Sequence, residues 1–271
     1  MQTFRKKVLV CGSLCFLFFA GVQLSLKAQE TGIGMVFGFC DTTGTKILVI
    51  EGDSNLSPDQ FVMAYADGGQ KFEVVFLGIQ EGNDQDNGRR MAYNFYNCAG
   101  YLYQVKSGAI HSEATIVLIT AAFAASHLPL AWVVPDKEVL PPGSKDIFFN
   151  DKKQVVQEYK CIGTLNNGKL FVVQFRPKAD SVTASLVYFN GGTAVFRDYT
   201  ALVSDNSTWR VDDGGQFGVD YYHILAVFLY QGNIEVVTDW IGAEGYSTEF
   251  MKQDGNEFIP ILNGYRYSSP L

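Results

Sequence analysis

The chain predicts an all-β protein of two tandem, distantly duplicated antiparallel domains, each a β-sandwich or β-barrel. Three observations carry that reading. Turn signals recur about every ten residues, with short runs of β-branched and aromatic residues between them. Long amphipathic helical periodicity is absent. One pattern also occurs twice at a constant spacing of 123 residues: KILVI (Lys46 to Ile50) leads to a hairpin closed on Gly68-Gly69, and KLFVV (Lys169 to Val173) leads to one closed on Gly191-Gly192. At that spacing Val49 falls on Val172 and Tyr65 on Tyr188.

At the start of the chain, Arg5, Lys6 and Lys7 precede an apolar run that ends at Ala28. A positive n-region, an apolar h-region and a small residue at the cut describe a secretory signal peptide over 1–28, and hence export to the periplasm or beyond the cell. Cleavage there removes four cations and no acid, taking the formal charge from −7 to −11. So acidic a chain lacks the basic footprint that nucleic acid or an anionic membrane surface demands. Its 47% apolar and 14% aromatic content supplies a core and excludes global disorder.

Cys40, Cys98 and Cys161 remain after cleavage. In an oxidising compartment Cys40 with Cys98 is the favoured disulfide, since both fall in the first copy, and Cys40 with Cys161 is its rival. No CxxC or Cys/His spacing for zinc is present.

The first domain is expected over 29–134. Met35 to Phe39 reads as its opening strand, and DTTGT turns the chain into KILVI. The double glycine at Gly68-Gly69 supplies the positive φ of a tight hairpin. Beyond an acidic loop, Tyr93, Phe95, Tyr101 and Tyr103 recur at even spacing, which predicts rings on one face of a sheet. That face is either packed inward or a surface on which a sugar ring stacks.

From Ala114 to Val134 no Asp, Glu, Lys or Arg occurs, a length that would span a bilayer. Pro129 and His127 inside the run, and the duplication around it, favour buried strands at TIVLIT and LAWVV with an Ala-rich turn or short helix between them. Pro135 to Asp146 carries three prolines and mixed charge, the composition of an interdomain linker. The second domain then occupies 147–271, with hairpins on Asn190-Gly191-Gly192 and Gln231-Gly232-Asn233.

Within the second copy, Tyr159-Lys160-Cys161, then Gly168 with the strand LFVVQF, then Ala184-Ser185-Leu186 and the Asn190-Gly191 turn resemble the opening of the periplasmic and membrane-bound inhibitors of C-type lysozyme. The resemblance covers about forty residues. It implies a small β-barrel and, as activity, inhibition of a host or competitor lysozyme. The family's inhibitory loop, a Ser-Gly-x-x-Tyr-like segment followed by a Lys-Gly strand, is not matched. Asn87 to Tyr93 and Lys106-Ser107-Gly108 are the nearest segments, and no inhibitory role is carried onto them.

No motif carries a specific chemistry. There is no nucleophile elbow, and His111, His127 and His223 sit beside apolar segments as structural histidines. Asp84, Asp86, Asp198, Asp212, Asp213 and Asp239 read as solvated loop acids, not as a carboxylate pair across a cleft. The Asp84 and Asp212 loops cluster oxygen ligands before glycine but miss the calcium-loop pattern, so no metal and no cofactor is assigned. The expected function is therefore an exported envelope or extracellular protein that binds and does not catalyse. Its partner would be a protein or a cell-surface glycan, and its contact candidates are Tyr93, Phe95, Tyr101, Tyr103, Tyr221 and Tyr230. A lysozyme inhibitor is the alternative, and a carbohydrate-active enzyme or glycan-binding module the next.

Overall fold

The structure is a computed structural model that describes residues 32–50, 55–111, 113–136, 140–202, 218–242 and 244–268. The expected signal peptide over 1–28 and the Asp212-Asp213 loop lie outside the described residues. The fold is all-β, a closed six-stranded barrel followed by a curled nine-stranded sheet.

The barrel consists of β1 (Met35–Cys40), β2 (Lys46–Val49), β3 (Phe61–Ala66), β4 (Gln70–Gln80), β5 (Gly100–Val105) and β6 (Thr115–Thr120). They are joined in the antiparallel order β1-β2-β5-β4-β3-β6. Period-two alternation sends Ile47 and Val49 into the interior with Val36, Val74, Tyr103, Ile116 and Leu118. Leu48 points outward, under Phe95 of a 3-10 turn at Ala92–Asn97. All six residues of β6 are buried because both of its faces are covered. One face fills the barrel, and the other packs Val117 and Ile119 on the second sheet.

After β6, α1 (Ala121–Ser126) is capped by Thr120, whose hydroxyl accepts the Phe123 amide at 3.2 Å. The short helix expected after TIVLIT is therefore present. The strand expected at LAWVV is not. Only β7 (Leu128–Pro129) forms there, and Val133 and Val134 are exposed. Leu130 and Trp132 of that segment pack against the core of the second sheet instead. Among the described residues no helix is long and apolar enough to cross a membrane.

Next, α2 (Ser144–Lys152) occupies the end of the stretch expected as linker. The sheet follows: β8 (Val156–Leu165), β9 (Gly168–Phe175), β10 (Ser181–Asn190), β11 (Thr193–Leu202), β12 (Tyr222–Tyr230), β13 (Asn233–Ile241), β14 (Gly245–Asp254) and β15 (Glu257–Tyr267). Their order is β7-β12-β13-β14-β15-β11-β10-β9-β8. Every pairing is antiparallel except the parallel contact of β11 with β15 at Phe196 and Glu257. Both ends of the sheet are held by one segment: β7 pairs with β12, and Val133 exchanges main-chain hydrogen bonds with Thr164 of β8.

Three hairpins, β3–β4, β10–β11 and β12–β13, form on the glycine turns expected from the sequence. The 123-residue offset carries β2 onto β9 and hairpin onto hairpin. The pairing differs, however, since β9 lies directly beside β10 while β2 lies between β1 and β5. The longer connection from β2 to β3 lets β4 and β5 enter between them.

Two apolar layers complete the second sheet. Leu170, Val172, Leu186, Val227, Val236 and Met251 fill its concave side, with Trp132 packed against them. On the convex side α2 covers Phe171, Val187 and Phe189, with Phe148 edge-on to Phe189 and Phe196 at 6.1 Å each.

Barrel and sheet share a third apolar layer. Met35, Tyr65, Val117, Ile119 and Phe123 meet Leu225, Phe228, Val237 and Phe250. Tyr65 and Phe123 both meet the Phe228 ring edge-on, at 5.4 and 5.2 Å. This packed contact fixes one unit on the other, and Gly32 to Leu271 form one compact body.

Candidate functional site at the barrel–sheet junction

The sequence of β13 explains the polar ends of that contact. In NIEVVTDWI every second residue faces the barrel, which puts Glu235, Val237 and Asp239 in one row. Val237 joins the apolar layer, and the two carboxylates are buried on either side of it, Glu235 1% and Asp239 4% exposed. Asp239 therefore sits in a strand interior and not in the solvated loop expected for it.

At the Asp239 end, Thr248 donates to Oδ1 at 2.9 Å, and Thr115 of β6 lines the same recess. Burial pushes the Asp239 carboxyl up, against the Thr248 bond and the nearby Arg266 charge. Thr115 also accepts from Nε of Arg266 at 3.1 Å. The Arg266 guanidinium lies 3.8 Å from the centroid of the Tyr246 ring and reaches the carbonyls of Glu113 at 2.8 Å and Arg90 at 3.2 Å. The Arg90 amide in turn donates to the Tyr267 carbonyl at 2.8 Å, so the 81–98 loop is bonded to β15 in both directions.

Pockets open on the two sides of this network. One of about 220 Å³ lies between β1 and β15, lined by Val36, Phe37, Phe39, Leu262, Arg90 and Arg266 among others. Another of about 180 Å³ gathers His111, Glu113, His223, Asp239 and Asp67. His223 is the cross-strand neighbour of Asp239. Two imidazoles and three carboxylates thus share one recess, although sequence reasoning had them scattered. Both pockets are smaller than the usual drug-sized site of about 300–1,000 Å³. Among the described residues no group of three or more His, Cys, Asp or Glu could hold a metal ion.

The aromatic candidates do not form one face. Tyr93 and Phe95 belong to the 3-10 turn, and only Tyr101 and Tyr103 share a face of β5. Phe95 is fully buried under the turn. Tyr103 is fully buried inside the barrel, with its hydroxyl donating to the Pro58 carbonyl at 2.9 Å. Tyr101 is half-buried at the edge of the same core. Tyr230 is half-buried, its ring stacked on His127 at 4.4 Å. Tyr93 and Tyr221 are exposed.

Sequence reasoning missed Tyr96, which is 54% exposed beside Tyr93 at 47%. In a 3-10 turn residues three apart lie above one another, and the spacing of the two tyrosines was the available signal. The ring of Tyr96 is fixed by its hydroxyl, which donates to Asp41 Oδ2 at 3.1 Å, and by edge contact with Phe95 at 5.1 Å. Lys46 approaches its centre at 5.5 Å.

The expected Cys40–Cys98 disulfide is corrected by the placement of the two residues. Cys40 points into the barrel, where its thiol donates to the His111 carbonyl at 3.2 Å. Cys98 lies outside the barrel wall under the 3-10 turn, with Arg90 Nη1 3.0 Å from its sulfur. Cys161 is buried beneath α2, so the rival Cys40–Cys161 pairing fails as well. Burial pushes the Cys40 thiol up to about 12.

No family model, curated protein or solved structure matches the chain.

Proposed function

We propose that this chain is an exported interaction protein that acts by binding a protein or a cell-surface glycan, and not by catalysis. The observation that carries the reading is the pair of exposed rings, Tyr93 and Tyr96, on a turn anchored from below by buried Phe95. Rigid aromatic rings offer contact area at low conformational cost, and Tyr is enriched at interfaces for that reason. Asn94 in the same turn is buried and bonds Asp86 Oδ1 and the Arg89 carbonyl at 2.8 Å each, which stiffens the neighbouring loop. The chain's acidity favours a basic partner.

The test is capture from envelope extract and lysozyme-containing secretions on immobilised residues 29–271, repeated with Tyr93→Ala/Tyr96→Ala. One stoichiometric partner or glycan, lost in the double variant, supports the reading. Identical recovery by the variant places the contact elsewhere and removes the tyrosine platform.

Lysozyme inhibition is the second reading. It is favoured by one observation: the residues resembling that family's opening lie on β8, β9 and β10, three neighbouring antiparallel strands. Loss of C-type lysozyme activity at equimolar protein would support it, and full activity at tenfold excess would end it.

A further inference from the structure

Arg266 is 6% exposed, yet every direct partner of its guanidinium is electrically neutral. Nε donates to the Thr115 hydroxyl, Nη1 to the Arg90 carbonyl and, at 3.7 Å, the Met91 sulfur, and Nη2 to the Glu113 carbonyl. A guanidinium carries five N–H donors, so four are engaged and one remains. Among the described residues no carboxylate bonds Arg266 directly, and Asp239 feels its charge from further off. A buried cation without a direct counter-ion is costly, and an anion placed against it would be held by a charge-assisted hydrogen bond.

The same side chain lines the pocket of about 220 Å³, which also has an apolar wall: Phe37 and Phe39 from β1 and Leu262 from β15. Arg90 also lines it; its Nη1 is paired with Asp86 at 3.2 Å, and its Nε and Nη2 are not engaged among the described residues. Gly264 brings β15 close to β1, since a Cβ there would lie 2.4 Å from the Phe37 ring. The result is a small recess with an apolar wall, a buried guanidinium that has no direct counter-ion, and a second guanidinium at its rim.

We propose that this pocket binds a small amphiphilic monocarboxylate, with the carboxylate on Arg266 and the apolar group against Phe37, Phe39 and Leu262. Two sources share the chemistry: a short fatty acid, and the terminal carboxylate of a peptide ending in an apolar residue.

The test is an NMR titration of the full chain with hexanoate and with N-acetyl-leucine, each against its uncharged counterpart, hexanol and N-acetyl-leucine amide. Saturable shifts of the Thr115, Thr248, Gly264 and Arg266 amides, with a carboxylate about tenfold or more tighter than its neutral counterpart, support the proposal. Which acid saturates at the lower concentration separates the two sources. Equal binding of acid and neutral counterpart, shifts confined to other residues, or no saturation by either acid would overturn it. Arg266→Lys keeps the charge but not the planar fork and should weaken the acids alone. Should that variant not fold, the acid-against-neutral comparison on the unaltered chain decides.

Discussion

Nε2 of His127 and Oε2 of Glu235 lie 3.3 Å apart at the edge of the barrel–sheet contact, both buried and neither with a well-aligned hydrogen-bond partner. The imidazole is sandwiched between Phe123 at 3.6 Å and Tyr230 at 4.4 Å. Its Nδ1 lies 2.9 Å from the Phe123 carbonyl and 2.8 Å from the Ser126 hydroxyl: a protonated Nδ1 donates to the carbonyl, whereas a bare Nδ1 accepts from the hydroxyl and leaves the proton on Nε2, toward Glu235. In either tautomer the ionised carboxylate is buried without an aligned donor on Oε2.

That relationship gives a signed pH dependence. Burial raises the Glu235 carboxyl, against the charge of Lys252 at 3.5 Å, so between about 4.5 and the raised value the folded chain binds more protons than the unfolded one. Glu235 therefore takes stability away as pH rises through that window. Burial lowers His127, which takes stability away as pH falls below about 6.5. In Glu235→Gln the first effect disappears, and an amide N–H can donate to Nε2. The variant's melting temperature, relative to the unaltered chain, should rise between pH 5 and pH 8 by an amount equivalent to about 1–2 kcal/mol. A constant difference across that range would show that the pair does not exchange a proton.

Thr115→Val removes the hydroxyl that accepts from Nε of Arg266. A buried guanidinium loses a bond, and the expected cost is about 1.5–3 kcal/mol in urea unfolding. Thr115→Ser should recover most of it. Equal stability of the Val and Ser variants would mean that the hydroxyl does not hold the guanidinium.

Maleimide labelling with peptide mapping reports on the thiols. Cys40, Cys98 and Cys161 should resist modification in the folded chain and react in denaturant without any reductant. Failure of Cys40 and Cys98 to react until reductant is added would restore their disulfide.

Gly44 sits at φ +67, where an added Cβ would lie 1.8 Å from the Ile110 carbonyl oxygen. That glycine joins the β1–β2 turn to the 106–111 loop, its carbonyl accepting the Ile110 amide at 2.9 Å. Gly44→Ala should cost about 3 kcal/mol or prevent folding, since strain and overpacking act together. Gly88 also has positive φ, but open space surrounds its Cβ position, so Gly88→Ala should cost only about 1 kcal/mol. Similar losses at both positions would mean that the close approach at Gly44 is not maintained in solution.

The all-β class and its hairpins were legible because they depend on local signals. Asp67-Gly68-Gly69, Asn190-Gly191-Gly192 and Gln231-Gly232-Asn233 each contain positive-φ residues, which any sequence window reveals. Pairing between distant strands is not local. Nothing near Lys46 says that β5 arrives beside β2 before β3 does. The site was obscured for a related reason. Asp239 and Glu235 look like ordinary surface acids until β6 covers them, and their two-residue alternation around Val237 indicates a shared face without saying that it is dry. Tyr103 and Phe95 have the composition of a binding surface and the burial of a core. Period two cannot distinguish the concave from the convex side of a curled strand.

The segment from Leu128 to Val133, bonded to β12 on one side and to β8 on the other, has a practical consequence for anyone dividing the chain. A fragment beginning at Pro135 would keep eight of the nine strands and lose the tie between them. Main-chain donors and acceptors of β12 and β8 would then be open to neighbouring molecules, the arrangement from which edge-to-edge aggregation starts. Such a fragment should form soluble oligomers or precipitate even though its eight strands are intact, and it also loses Trp132 from its core. Beginning instead before β7 carries the tie along.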